Sequence, residues 1–118
     1  MKKTKIMITA IMSFSMISCA TAVPTNGQTT AGSTLKGDTT RFVSMMAKVQ
    51  EKCELIDSID TEVIRINPVG TGKTPASMKY GSSEERWKVN LCGKQVPYLV
   101  TFTPDGAGGT FFSTAREK

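Results

Sequence analysis

Residues 85–102, ERWKVNLCGKQVPYLVTF, decide how this chain folds. Trp87, Val89 and Leu91 alternate with Arg86, Lys88 and Asn90, the period-two pattern of a strand with one apolar face and one solvated face. Val96, Tyr98, Val100 and Phe102 repeat the pattern after Cys92-Gly93-Lys94-Gln95, a tight-turn candidate. The stretch therefore reads as an antiparallel hairpin. Pro97 cannot donate to a ladder, so it belongs at the strand's start or on its open side. Trp87 and Tyr98 are expected on the core face.

Outward from the hairpin, Glu62–Ile66 is short and β-branched, and Pro68 and Gly70 end it. Pro104-Asp105-Gly106-Ala107-Gly108-Gly109 is a turn with ample glycine, and Thr110–Thr114 closes a meander. Upstream, Phe42, Met45, Met46, Val49 and Cys53 recur at spacings of three and four, one face of an amphipathic helix that Asp38, Thr39 or Thr40 could cap. The expected fold is α+β: one N-terminal amphipathic helix on an antiparallel sheet of about four strands, occupying 38–118. Residues 20–37 hold almost no large apolar side chain, so they are expected to be a disordered tether.

The first residues bear on compartment. Lys2, Lys3 and Lys5 precede an apolar run from Ile6 to Ile17 that is too short to span a bilayer, as in an export signal over 1–19. Met16-Ile17-Ser18-Cys19 resembles the lipobox of bacterial lipoproteins, with methionine where leucine is usual. That resemblance implies a diacylated Cys19 as the new N-terminus, and Ala20 directly after it favours the outer membrane. Ala20-Thr21-Ala22 offers a rival site for ordinary signal cleavage into the periplasm.

Either processing route leaves Cys53 and Cys92 from the three cysteines, and an exported pair is most simply a disulfide. Closing a loop of about 40 residues gives roughly 4 kcal/mol in the chain-entropy model. Removing Lys2, Lys3 and Lys5 from the 15 basic residues leaves 12 against 10 acidic ones, a balance that does not call for nucleic acid.

The letters GTGKT at 70–74 invite a nucleotide reading, but the phosphate loop requires glycine where Asn67 stands, and Pro68 removes a backbone donor. Pro75 and Gly81-Ser82-Ser83 argue further against a following helix that could bind an anion. The 67–84 connection is instead a candidate recognition loop, with Lys73, Met78, Lys79 and Tyr80 as contacts. Histidine, the commonest general base, is absent from the sequence, and Glu84 and Glu85 should diverge. No catalytic residue, metal ligand or cofactor is expected.

The pattern W-x-V-x-x-C-G-x-x-V-P-Y-x-V-x-F-x-P-D-G-x-G-G-T-x-F, from Trp87 to Phe112, resembles small exported proteins of Gram-negative bacteria. The resemblance bears on origin and compartment alone. The expected function is a non-enzymatic binding or assembly module of the cell envelope, tethered by lipid or free in the periplasm, with a protein partner. The alternative is a periplasmic inhibitor or immunity-type protein that blocks a hydrolase.

Overall fold

The computed structural model of the chain describes residues 23–118. The elements are β1 (Thr25–Gly27), α1 (Ser33–Glu51), β2 (Ile56–Asn67), α2 (Pro75–Tyr80), β3 (Ser82–Leu91), β4 (Lys94–Pro104) and β5 (Thr110–Arg116). The five strands form one sheet in the order β1-β2-β3-β4-β5, with β1 parallel to β2 and every other pair antiparallel. The α+β class therefore holds, with two differences from the expected layout. The sheet is mixed and has five strands, and the helix follows a strand, so it does not lead the fold.

The β3–β4 hairpin is the centre of the structure. Trp87 pairs with Tyr98 and Val89 with Val96, and all four side chains are buried. The turn is two residues long, Cys92 and Gly93, with φ of 46° and 73°. Positive φ at both positions matches the strand twist, as in type I′ hairpins. β4 is an interior strand, so Pro97 has no open side; its missing donor faces β5 just past that strand's last paired residue, Arg116, where its carbonyl accepts the Glu117 N–H.

Helix α1 covers the face formed by Ile59, Trp87, Val89, Tyr98 and Val100, all fully buried. The face it turns inward is not the one its largest side chains suggest. Leu35, Thr39, Val43, Met46 and Ala47 pack toward the sheet, whereas Phe42, Met45 and Val49 are exposed. The buried stripe is thus displaced by about one residue, near 100° around the helix. Small side chains face inward because Trp87 and Tyr98 already fill the space above the sheet. Phe42 keeps an edge-on contact with Phe112, with ring centroids 5.7 Å apart.

The helix also begins earlier than its capping residues imply. Gly32 precedes the first turn, Asp38 pairs with Arg41 one turn on, and Thr39 donates back to the Leu35 carbonyl at 2.8 Å. That bond satisfies a buried hydroxyl inside the helix. The described part of the expected tether is therefore ordered: it carries β1 and the first turns of α1. The expected signal segment and Cys19 lie outside the described residues.

The order of 23–32 comes from polar bonds. Glu85 is fully buried, and its carboxylate accepts Thr29 Oγ1, Thr30 N–H and Thr30 Oγ1, each at 2.7 Å, and Trp87 Nε1 at 2.9 Å. Thr61 Oγ1 donates to the Gln28 carbonyl at 2.8 Å. A buried carboxylate is tolerable only with such a complete set of partners. Glu84 points the opposite way, as expected, although β3 is a central strand and no edge.

Cys53 and Cys92 form the expected disulfide, with Cα atoms 6.3 Å apart. It ties the end of α1 to the β3–β4 turn. Close by, the Glu51 carboxylate is held by Lys94 at 3.1 Å and Arg116 at 2.8 Å. Asp57 and Asp60 lie within β2, where Asp60 accepts from Asn90 at 3.0 Å.

Candidate partner-binding surface

The connection between β2 and β3 is shorter and more structured than its sequence suggests. Helix α2 starts at Pro75, whose fixed φ suits a first helical turn. Thr74 caps it, its Oγ1 accepting the Ser77 N–H at 3.0 Å. The expectation that no helix follows GTGKT is thus corrected: Pro75 was read as a breaker but sits where proline initiates. The turn that would have to cradle a phosphate nevertheless directs its amides inward. Gly70 N–H bonds the Met78 carbonyl at 2.7 Å and Thr71 N–H bonds the Pro68 carbonyl at 3.0 Å. Gly72 packs so close to Ser77 that a Cβ there would overlap the serine side chain.

The proposed contact residues separate into two kinds. Lys73, Met78 and Lys79 are exposed, with Lys79 Nζ 5.2 Å from the Tyr80 ring centroid. Tyr80 is half-buried and lies against Gly106, where any Cβ would strike its ring. Its role is to join α2 to the β4–β5 turn. Asp105 shapes that turn by accepting the N–H groups of Ala107 at 2.7 Å and Gly109 at 3.0 Å, and these bonds hold its carboxyl below the usual range.

Beside α2 the surface dips into a depression of about 440 Å³ lined by Ile66, Pro68, Val69, Tyr80, Phe102 and Pro104. Ile66 and Val69 are 56% and 67% exposed, while Met78, 48% exposed, lies on α2 outside the depression's lining. Large apolar side chains left this open around a concavity are the usual composition of a contact surface. Ile66 and Val69 escaped the sequence reading because Ile66 looked like a strand interior and Val69 stood alone between Pro68 and Gly70.

Polar support lies on the opposite face of the same strands. Asn67 Nδ2 donates to Glu84 at 2.8 Å and to Ser82 Oγ at 3.0 Å, fixing where β2 leaves the sheet. The Asn67 bond outweighs the opposing effect of burial and, with the Arg65 guanidinium at 3.1 Å, holds the Glu84 carboxyl below its ordinary value. Further along this face, Arg86 pairs with Glu117 at 2.7 Å and Lys88 with Glu62 at 3.3 Å. These pairs are half-exposed, and ion pairs in contact with solvent contribute little to stability while keeping that face wet.

Among the described residues no group of histidine, cysteine or carboxylate side chains could hold a metal ion, and no helix is long and apolar enough to cross a membrane. Comparison with family models, curated proteins and solved structures finds no match to this chain.

Proposed function

We propose that the chain is an exported, non-enzymatic binding or assembly module of the bacterial cell envelope, docking a protein partner through the surface around α2. The reading rests on one observation above the others: Ile66 and Val69 stand exposed on a concave surface beside α2, and the same β2–β3 connection carries the exposed Lys73, Met78 and Lys79. The Cys53–Cys92 bridge is compatible with an oxidising compartment, which suits the leader-like N-terminus. Lipid at Cys19 would hold the domain at the membrane.

A pull-down from detergent-solubilised envelopes tests the docking surface. Val69→Ser, Met78→Ala and Lys79→Ala combined should reduce partner recovery at least tenfold while the melting temperature stays within a few degrees. Tyr80→Ala is the contrasting control, since losing its packing on Gly106 should lower the melting temperature. Undiminished recovery with the triple variant would move the interface elsewhere. A single stoichiometric hydrolase in the recovered fraction would favour the inhibitor reading. Cys19→Ala should shift the protein from the membrane fraction to the soluble periplasm; a wild-type chain already soluble and starting at Val23 would overturn the anchor.

A further inference from the structure

A second concavity lies elsewhere on the molecule, between α1 and the edge strand β1, and none of its lining residues borders the depression at α2. It encloses about 620 Å³. Val23, Thr25 and Met45 give it apolar contact surface, while Lys36, Arg41 and Lys48 line it from the helix. Arg41 is paired with Asp38 at 2.7 Å, but among the described residues neither lysine has an ion-pair partner.

Two observations on the groove point to a ligand. Ser44 lines it and is only 6% exposed, and its Oγ, itself shielded from solvent, has no hydrogen-bond partner among the described residues. A buried hydroxyl left unpaired costs free energy unless something supplies the missing bond. Gly37 sits in the second turn of α1, where glycine costs about 1 kcal/mol relative to alanine, and a Cβ there would meet nothing within 4 Å. The missing side chain leaves the groove open.

The strand side supplies backbone groups. β1 pairs with β2 along one edge only, and among the described residues no strand lies along the other. The Pro24 carbonyl accepts the Ile59 N–H at 2.9 Å, so strand alternation turns the N–H and C=O of Thr25 to the free edge. The donor that Pro24 lacks falls on the β2 side and costs the free edge nothing.

We propose that this groove binds an extended acidic peptide segment of a partner protein, which lies between α1 and the free edge of β1. Lys36 and Lys48 are twelve residues apart on one helix, about 18 Å along its axis. That distance is too long for one small anion and matches five or six extended residues at about 3.3 Å each. Main-chain bonding to Thr25 gives the peptide a docking edge, and the lysines select acidic side chains. The chain's own first 22 residues do not fit this charge pattern, since they contain three lysines and no acidic residue.

The probe is a fluorescein-labelled hexapeptide alternating glutamate with valine, titrated into the full chain and followed by anisotropy. Binding should weaken at least fivefold when ionic strength rises from about 0.05 to 0.5 M, because exposed charges are screened over that range. A matched lysine–valine peptide should not bind. Gly37→Leu should block the groove, weakening binding at least tenfold while leaving the melting temperature equal or higher. Lys36→Glu with Lys48→Glu should reverse the preference toward the lysine–valine peptide. Lys73→Ala with Lys79→Ala should leave binding unchanged, which separates this site from the α2 surface. The proposal is overturned if the acidic peptide does not bind, if Gly37→Leu binds it equally well, or if inorganic phosphate at matched concentration displaces it. Displacement by phosphatidylglycerol vesicles would assign the groove to the membrane and equally overturn it.

Discussion

The β3–β4 hairpin and the 23–32 segment reach the same core by opposite physical routes. The hairpin buries Trp87, Val89, Leu91, Val96, Tyr98 and Val100, so its position follows from removing apolar area from water. The 23–32 segment has little apolar area to bury and is held by polar bonds: the β1–β2 pairing, the Thr61 hydroxyl and, above all, hydroxyls and an amide gathered on the Glu85 carboxylate. Apolar burial is spread over many atoms and resists single changes to its rim. A polar clasp concentrates its effect in one residue, and losing that residue should release one segment while the rest stays folded.

The largest expected effect tests the hairpin. Trp87→Ala should destabilise the fold by about 3–5 kcal/mol, the range for emptying a buried aromatic site. Chemical denaturation should show the loss in every segment at once, since Trp87 touches both the sheet core and, through Nε1, the Glu85 clasp. A loss below 1 kcal/mol would show that the hairpin core is not what holds the domain together.

Next is the covalent tie between the two layers. Cys92→Ser should cost about 2–5 kcal/mol, typical for a small domain that loses its bridge, and lower the melting temperature by many degrees. The same substitution leaves a polar hydroxyl at a turn position that is already exposed. Free-thiol labelling at both Cys53 and Cys92 of the purified chain would contradict the bridge itself.

The comparison is sharpened most by Glu85→Ala. Thr29, Thr30 and Trp87 would lose their shared acceptor, at about 1–3 kcal/mol for groups left buried and unpaired. Amide hydrogen exchange should rise across 25–31 and stay slow across the hairpin, the signature of a local opening. Uniform acceleration throughout the chain would mean that clasp and hairpin form one cooperative unit.

The smallest effect is acid sensitivity. Glu84 is held low chiefly by Asn67, Asp105 by the Ala107 and Gly109 amides, and Glu117 by Arg86. A carboxyl lowered in the folded state contributes stability that is complete above its unfolded value, near pH 4, and fades as pH falls through the lowered folded value. Thermal melts should therefore be flat from about pH 6 to 5 and decline below pH 4. Asn67→Ala should shrink the Glu84 share of that decline.

The hairpin was legible because its alternation is unbroken and its turn residues agree with it. The bridge was legible because either expected processing route would leave only two cysteines. At α1 the reading failed in detail for a definable reason. Size and spacing favoured Phe42, Met45 and Val49, but the aromatic residues beneath the helix leave room for Val43, Ser44 and Ala47. The candidate surface was half legible. Lys73, Met78 and Lys79 could be named from an unusually long connection, whereas Ile66 and Val69 belong to it only because β2 leaves the sheet beside α2.

The sequence by itself determined the antiparallel meander, the inward faces of β3 and β4 and the cysteine pairing, because periodicity and cysteine count are local or additive properties. Only the tertiary structure decided that 23–32 is ordered, which side of α1 is buried and where the groove beside β1 opens. Each of those depends on groups far apart in the chain: Thr29 and Thr30 meet Glu85 across 55 or 56 positions, and Tyr98 meets Gln50 across 48. A threonine in a polar stretch carries no local sign that a buried carboxylate will need its hydroxyl.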